Sequence, residues 1–164
     1  MGLGTNVAWR SLEGPALLRK ALLALEESGL PVFAPSGFWL SPAWPDSSDP
    51  PFTNAAAICL AGFHSPETAL AILLNIERGF GRVRGAANAP RTLDLDLLDM
   101  NGLLRSDADP LLPHPRLTER PFVLAPLAQA APWWRHPGCG RSAAQLLATL
   151  PEARLRGLTE IERD

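Results

Sequence analysis

The sequence predicts an α+β fold, a ferredoxin-like βαββαβ sandwich with a mainly antiparallel sheet, helices on one face and a helical and loop extension at the C-terminus. Its 164 residues suit one domain over residues 1–164, since domains usually hold roughly 100–200 residues. Apolar residues make up 46% of the chain and charged residues 20%, so a sizeable core can form. The regular segments follow the order strand, helix, strand, strand, helix, strand, which makes two βαβ-like halves.

The first half of this order begins with a short strand. Residues 1–6 read as a strand that ends in a Gly/Asn turn. Over residues 15–28 leucine and alanine recur every three or four positions, which predicts an amphipathic helix that begins at a proline. Residues 32–40 and 52–62 are rich in β-prone side chains and flank a stretch of Pro, Ser and Asp. We therefore predict two strands joined by a long exposed loop.

The second half begins with a helix over residues 65–79, which opens with a serine cap, a proline and an early acidic residue. Residues 79–92 combine glycine, small residues and three arginines without an apolar period, so we predict a mobile connection. The alternation TLDLDLL over residues 92–98 is typical of a strand. Short helices are expected over residues 121–128 and 143–150.

The charge balance argues against several classes of function. Fifteen basic and 17 acidic residues give a net charge of −2, which disfavours a surface dedicated to nucleic acid or to an anionic membrane. No stretch approaches the roughly 18 consecutive apolar residues of a membrane span, and the first residues lack a signal-peptide pattern. Cys59 and Cys139 show no metal-ligand spacing, so we expect a protein of the reducing cytoplasm.

Asp94 and Asp96 are the strongest chemical signal in the chain. Because a strand has a side-chain period of two, both carboxylates lie on one face and the leucines around them on the other. Magnesium is often bound by one or two carboxylates together with phosphate oxygens, so the pair suits a metal–phosphate site. An isolated pair of this kind is more often the solvent-facing side of a strand, and only its neighbours decide between the two interpretations.

Three of those neighbours are arginines, Arg82, Arg84 and Arg91. They form either a surface ion-pair cluster, which adds little stability, or a clamp for a polyphosphate. Phosphoryl transfer requires cationic groups on the phosphates and a carboxylate-held metal, and little covalent chemistry from the protein. The absence of a Walker A pattern excludes a P-loop enzyme.

Further candidate residues are spread along the sequence. His114 lies in the proline-framed segment LPHPRL with Arg120 close behind, and it is either structural, as most lone histidines are, or a phosphate donor. Phe52 and Asn54 share one strand face, and Phe122 lies far along the chain. Two aromatic rings and an amide can hold a flat heteroaromatic ring, although ordinary core packing is the alternative for each phenylalanine.

Five motifs contain these residues. They are GLGTN at 2–6, FTNAA at 52–56, IERGFGRVR at 76–84, APRTLDLDLL at 89–98 and LPHPRLTERPFVLAPL at 112–127. In this order they resemble the 6-hydroxymethyl-7,8-dihydropterin pyrophosphokinase family of folate biosynthesis, over most of the chain. The combination of PRTLDLDLL with LPHPRL and ERPFVL is far more specific than an acidic pair alone.

The resemblance implies a reaction in which the hydroxymethyl oxygen of the pterin attacks the β-phosphorus of ATP, giving AMP and the pterin diphosphate. It also implies a role for each site residue. Asp94 and Asp96 would hold two Mg²⁺ ions on the phosphates of ATP, the co-substrate, and Arg82 and Arg91 would assist the transfer. The other implied contacts are Arg84, His114 and Arg120 for the nucleotide, and Phe52, Phe122, Asn54, Ser41 and Pro42 for the pterin.

One departure from the family leaves an alternative open. Residues 85–89 are small and uncharged, whereas the family commonly carries basic residues and a tryptophan in this closing loop. A second hypothesis is therefore a ferredoxin-like module that binds nucleotide and pterin but is catalytically weakened. A nucleic-acid-binding sheet is disfavoured by the net charge and the acidic pair. We expect a cytoplasmic monomer whose partners are ATP and a reduced pterin, with no nucleic acid and no membrane.

Overall fold

The computed structural model describes residues 1–44, 48–83 and 89–163. No helix in these ranges is long and apolar enough to cross a bilayer. The helices and strands in chain order are β1 (Gly2–Thr5), α1 (Gly14–Glu27), β2 (Val32–Pro35), β3 (Phe38–Ser41), β4 (Phe52–Cys59), α2 (Pro66–Gly79), β5 (Asp94–Asp96), α3 (Pro121–Ala130), α4 (Ala143–Ala148), α5 (Glu152–Leu155) and β6 (Thr159–Glu162).

The strands form an antiparallel sheet in the order β5-β1-β4-β3-β6, and β2 also pairs with β4. Helix α1 connects β1 to β2 and β3, with β4 lying between them in the sheet. Helix α2 connects β4 to β5, with β1 between them. The two βαβ halves therefore interleave, as in a ferredoxin-like fold, and the predicted α+β class is confirmed.

Helices α1 and α2 cover one face of the sheet. Leu3 of β1 lies between Ala55 of β4 and Leu95 of β5, and all three side chains are buried in the same cluster. The predicted leucine stripe of α1, including Leu17 and Leu18, packs against this cluster and is buried. Burial of this stripe is the main reason why the segment is helical in the folded chain.

The C-terminal extension covers the opposite face. Helices α3 and α4 pack together on Ala56 of β4, with Leu98, Leu124 and Leu146 buried among them. Because strand side chains alternate, Ala56 faces this cluster while Ala55 faces α1 and α2. The short helices expected over residues 121–128 and 143–150 are present, and they form the second layer of the fold.

Two strands differ from the sequence prediction. The run over residues 32–40 is divided between β2 and β3, because the Ser36 hydroxyl accepts the Ala56 backbone N–H at 2.9 Å in place of a ladder carbonyl. Strand β6 lies in a segment expected to be helix and loop, and it pairs with the outer edge of β3. All four residues of β6 are exposed, so the strand carries none of the apolar alternation that marks a half-buried strand.

Candidate active site

The acidic ledge, defined as Asp94 and Asp96, lies on the sheet face that α3 covers. On β1, Gly4 is the register partner of Asp94 and Gly2 that of Asp96. Asn54 of β4 flanks Gly4 from the other side. Because register partners point to the same face, the two carboxylates and the Asn54 amide are on one side of the sheet. The predicted shared face of the aspartates is therefore observed.

Gly4 leaves a gap beside the ledge. A Cβ atom at Gly4 would lie 3.6 Å from Asn54 Oδ1 and 3.8 Å from both Asp94 Cβ and Phe52 Cδ1. Three candidate side chains thus surround one point above β1 at which the chain has no side chain. The structure therefore brings an aspartate of the ledge next to an aromatic ring and an amide.

Two arginines bracket the Asp94 carboxylate. Arg82 Nη1 contacts Asp94 Oδ1 and also donates to the carbonyl of Leu93 at 3.1 Å. Arg91 Nη1 donates to Asp94 Oδ2 at 2.9 Å, and its guanidinium carbon lies 5.3 Å from the centre of the Phe52 ring. Burial lowers the pKa of Arg82, but the carboxylates of Asp94, Glu77 and Asp96 together outweigh burial and raise that pKa overall. Two guanidinium groups therefore lie beside the ledge, and that of Arg91 also lies beside the Phe52 ring.

Asp96 has its own cationic partner. Arg120 Nη1 donates to Asp96 Oδ2 at 3.0 Å, and His114 Nε2 lies 3.9 Å from Asp96 Oδ1. The His114 backbone donates to the carbonyl of Leu98 at 2.7 Å, while its ring Nδ1 accepts the backbone N–H of Arg116 at 3.2 Å. Burial lowers the pKa of His114 and favours the neutral ring. With Nδ1 used as an acceptor, the ring proton lies on Nε2 and faces the ledge.

Of the remaining pterin candidates, Ser41 contacts Asn54, and Phe122 lies beside Arg120, the partner of Asp96. We call Phe52, Asn54 and Phe122, the three residues expected to hold the pterin ring, the ring slot. Phe122 lies in the first turn of α3, and its ring centre is 5.8 Å from the guanidinium carbon of Arg120. Asn54 Nδ2 donates to the Ser41 hydroxyl at 2.9 Å, so a β3 residue fixes the orientation of this amide.

Two candidate segments are less well connected to the ledge. Pro42 follows β3 and packs towards the C-terminal segment, because a Cβ atom at Gly157 would lie 2.7 Å from Pro42 Cγ. Arg84 and residues 85–88 of the expected closing loop lie outside the described residues. The ledge, the ring slot and the cations Arg82, Arg91, His114 and Arg120 therefore make up the site described here.

Two further residues belong to the site, although they were not predicted as site residues from the sequence. Glu77, in the last turn of α2, is 3% exposed and contacts Arg82. Asn6 Oδ1 accepts the backbone N–H of Arg91 at 2.8 Å, and Asn6 Nδ2 donates to the carbonyl of Pro50 at 3.1 Å. Both residues lie within motifs quoted above, but only the folded chain shows what they contact.

The charges of the site balance among the described residues. Three carboxylates meet three guanidinium groups, and they belong to Glu77, Asp94, Asp96, Arg82, Arg91 and Arg120. No group of three or more His, Cys, Asp or Glu side chains able to hold a metal occurs in the described part of the chain. The ledge still fits Mg²⁺ because its side chains are 24% and 30% exposed and the ion needs only one or two carboxylates when phosphate completes its shell.

Comparison with known proteins identifies the family. The family model of 7,8-dihydro-6-hydroxymethylpterin-pyrophosphokinase (HPPK) matches residues 1–132. The chain belongs to the HPPK family. A 2-amino-4-hydroxy-6-hydroxymethyldihydropteridine pyrophosphokinase of Synechocystis sp. is 37% identical over 149 residues, covering 90% of this chain and 73% of the relative. An enzyme of the same name from Methylorubrum extorquens is 37% identical over 133 residues, covering 80% and 81%.

The extent of the match separates the site from the C-terminal elements. The ledge, the ring slot and their cationic partners all lie within the HPPK-matched residues 1–132. Helices α4 and α5 and strand β6 lie beyond them. The resemblance inferred from the five motifs is confirmed.

Proposed function

We propose that this chain is a Mg²⁺-dependent pyrophosphokinase that transfers pyrophosphate from ATP to 6-hydroxymethyl-7,8-dihydropterin, giving AMP and the pterin diphosphate in folate synthesis. Family membership and the names of the relatives support the reaction. The observation that carries the assignment to this site is the grouping of Asp94, Phe52 and Asn54 around the missing side chain of Gly4. A flat ring stacked on Phe52 would lie beside the group that would hold the metal and phosphates.

The ring slot supplies recognition of the pterin. Phe52 is the first residue of β4 and Phe122 the second residue of α3, so both rings are carried by regular elements that fix their position. Asn54 directs its NH₂ group towards Ser41, which leaves its carbonyl oxygen on the side of the Gly4 gap as an acceptor for N–H groups of the pterin edge. The backbone at Ser41 and Pro42 would line the same slot.

The ledge and its cations supply recognition of the nucleotide. Asp94 and Asp96 would hold two Mg²⁺ ions, which neutralise phosphate charge and polarise the phosphoryl group when bound. Arg120 and His114 border Asp96 and would contact the nucleotide, with Arg84 as a further contact. The neutral His114 ring would donate its Nε2 proton to a phosphate oxygen.

Arg82 and Arg91 are the residues we assign to the transfer step. Both already lie beside Asp94, so they need little movement to reach a phosphate held there. Arg91 Nε is buried and has no hydrogen-bond partner among the described residues, which leaves a donor for an incoming oxygen. Guanidinium groups placed where negative charge develops lower the barrier because they require little reorganisation during the reaction.

The protein is further proposed to act as a single-domain cytoplasmic monomer with ATP and the reduced pterin as partners. Both cysteines are free, which supports a reducing compartment.

The decisive experiment is to incubate the protein with the pterin, ATP and Mg²⁺ and to separate the nucleotides by chromatography. We expect AMP and pterin diphosphate in equal amounts, with AMP formation dependent on the pterin and abolished by EDTA. Formation of ADP, or no nucleotide product at all, contradicts the proposed reaction. Binding of Mg-ATP and pterin without AMP release would instead support the weakened binding module suggested by the composition of residues 85–89.

A further inference from the structure

Glu77 is a buried carboxylate in the last turn of α2 that the proposed reaction does not use. Its side chain is 4% exposed. Its Oε1 atom accepts the backbone N–H of Leu95 at 2.8 Å and a hydrogen bond from Arg82 Nη1. A buried carboxylate costs several kcal/mol unless it is paired and hydrogen-bonded, and Glu77 has both kinds of partner. One atom of Glu77 thus links α2, the edge strand and an arginine of the transfer step.

The contact with Leu95 bears on the position of the ledge. Leu95 lies between Asp94 and Asp96 on β5, which pairs with β1 and is a terminal strand of the sheet that the described residues form. An edge strand leaves N–H groups without a partner strand, and these need another acceptor when they are buried. Glu77 supplies that acceptor at the residue between the two aspartates. The Glu77 carboxylate therefore fixes the backbone from which both ledge carboxylates project.

The contact with Arg82 bears on the charge of the ledge. Arg82 Nη1 contacts Glu77 and Asp94 at the same time. With Glu77 ionised, the three guanidinium groups that the described residues place at the ledge face three carboxylates. Without that charge, these cations would exceed these anions by one, and among the described residues Asp94 would remain the ion-pair partner of Arg82. Both changes oppose the binding of a divalent cation at the ledge.

We propose that Glu77 is a positioning residue that anchors β5 and shares the charge of Arg82, so that Asp94 keeps its affinity for a divalent cation. The proposal rests on the proposed function for the identity of the ledge as the metal site. It assigns to Glu77 a role in metal affinity exerted through Arg82 and Leu95, with no contact between Glu77 and either substrate.

The test uses Glu77→Gln, which keeps the size of the side chain and an oxygen for the Leu95 N–H but removes the charge. We expect the Mg²⁺ concentration at half-maximal binding, measured by calorimetry in the presence of a non-hydrolysable ATP analogue, to rise at least about fivefold. The same rise is expected in the Mg²⁺ dependence of AMP formation, while the KM for the pterin changes less than about twofold. Glu67→Gln is the matched control, because Glu67 lies on the same helix roughly 15 Å away along its axis.

Two further variants separate charge sharing from folding. Arg82→Gln alone is expected to lower the Mg²⁺ midpoint in the binding experiment, because Asp94 loses a competing cation. The double variant Glu77→Gln, Arg82→Gln restores the charge balance, so its midpoint should return to within about twofold of the wild type although AMP formation is lost. The thermal unfolding midpoint of each variant shows whether it is folded under the binding conditions.

The outcomes are distinct. An unchanged Mg²⁺ midpoint in folded Glu77→Gln, or a double variant that binds Mg²⁺ as weakly as Glu77→Gln, overturns the proposal. If Glu77→Gln does not fold, the Mg²⁺ midpoint of Arg82→Gln tests the proposal instead. An Mg²⁺ midpoint equal to that of the wild type in Arg82→Gln also overturns the proposal. Wild-type protein that binds Mg²⁺ with the analogue but forms no AMP contradicts the proposed function while leaving the Glu77 comparison intact.

Discussion

At the scale of single residues, each ledge carboxylate forms an ion pair with at least one guanidinium group. Arg82 and Arg91 hold Asp94, and Arg120 holds Asp96. These ion pairs are partly buried, so they keep both partners ordered before a substrate arrives. Under the proposed function, Asp94 and Asp96 would hold the metal, and the same guanidinium groups would lie beside its phosphates. A change to the ledge therefore also alters the surroundings of its arginines, and a change to the arginines alters those of the ledge.

The ledge gives the most direct prediction. Asp94→Ala or Asp96→Ala should lower kcat more than about 100-fold, because each removes several kcal/mol of metal-borne charge stabilisation. The fold should persist, since both side chains are partly exposed and contribute no apolar packing. Steady-state AMP formation and circular dichroism measure the two effects. Asp107→Ala is the control because Asp107 is exposed, and near-normal activity in either ledge variant would show that the metal assignment is wrong.

Not all site residues can be found at this scale from the sequence. The period of two along β5 predicted the shared face of Asp94 and Asp96, because strand geometry alone determines it. Glu77 and Asn6 have no such local signal, since their roles depend on contacts with Leu95 and Arg91, which lie 18 and 85 positions along the chain. Such contacts follow from the packing of distant segments, and no pattern within either motif reveals them.

At the scale of elements, Asn6 connects β1 to two loops of the site. Its side chain binds the backbone of Arg91, ahead of β5, and the carbonyl of Pro50, ahead of β4. Asn6→Ala should destabilise the fold by about 1–2 kcal/mol, because two hydrogen bonds are lost. It should also lower kcat about tenfold, since Arg91 is held less accurately.

Asn6→Asp is the matched control for this prediction. Aspartate keeps the acceptor for the Arg91 N–H and loses the donor to Pro50, so its kcat should lie between those of Asn6→Ala and the wild type. Steady-state kinetics and urea denaturation measure the two quantities. Equal kcat values for Asn6→Ala and the wild type would rule out a positioning role for Asn6.

The helix α1 supplies a prediction about packing. Leu18 is fully buried against the sheet, whereas Leu23 on the same helix is 51% exposed. Leu18→Ala should destabilise the protein by about 2–5 kcal/mol, through lost apolar burial and the cavity left behind. Leu23→Ala should cost less than about 1 kcal/mol. Urea denaturation curves with equal m-values for both variants test this difference, and similar losses of stability would contradict the assigned face of α1.

Some helices and strands could be predicted from local sequence patterns, whereas others depend on contacts with distant segments. Helices α1 and α2 were predicted to within one residue of their observed start, because proline at the first turn and a leucine stripe are local signals. The break between β2 and β3 was not predicted, since it depends on the Ser36 hydroxyl reaching β4. Strand β6 was not predicted because its residues TEIE are all exposed and show no buried face in the sequence. They form a strand because they pair with the edge of β3.

At the scale of the whole molecule, β6 closes the edge of the sheet opposite β5, the strand that carries the ledge. Strand β6 lies beyond the HPPK-matched residues 1–132 and pairs with β3. Its Glu162 forms an ion pair with Arg19 of α1 at 2.7 Å, and the Arg19 guanidinium lies 4.8 Å from the centre of the Phe38 ring. Phe38 is fully buried under this cover. The segment therefore protects an edge and a core residue without contributing to the ledge.

This arrangement predicts that removal of β6 separates stability from catalysis. The free energy of unfolding of a variant that ends at Leu158 should be lower by about 1.5–3 kcal/mol, because Phe38 becomes more exposed. The variant should also aggregate more readily through the open edge of β3. Its KM values and its kcat at low temperature should stay within about twofold of the wild type, since the ledge and the ring slot are carried by β5, β4 and α3. Glu162→Gln removes only the exposed ion pair and should cost less than about 1 kcal/mol, so it distinguishes loss of charge from loss of the strand. Thermal unfolding, light scattering and AMP formation measure the three effects, and a folded truncated variant without activity would show that β6 contributes to the site after all.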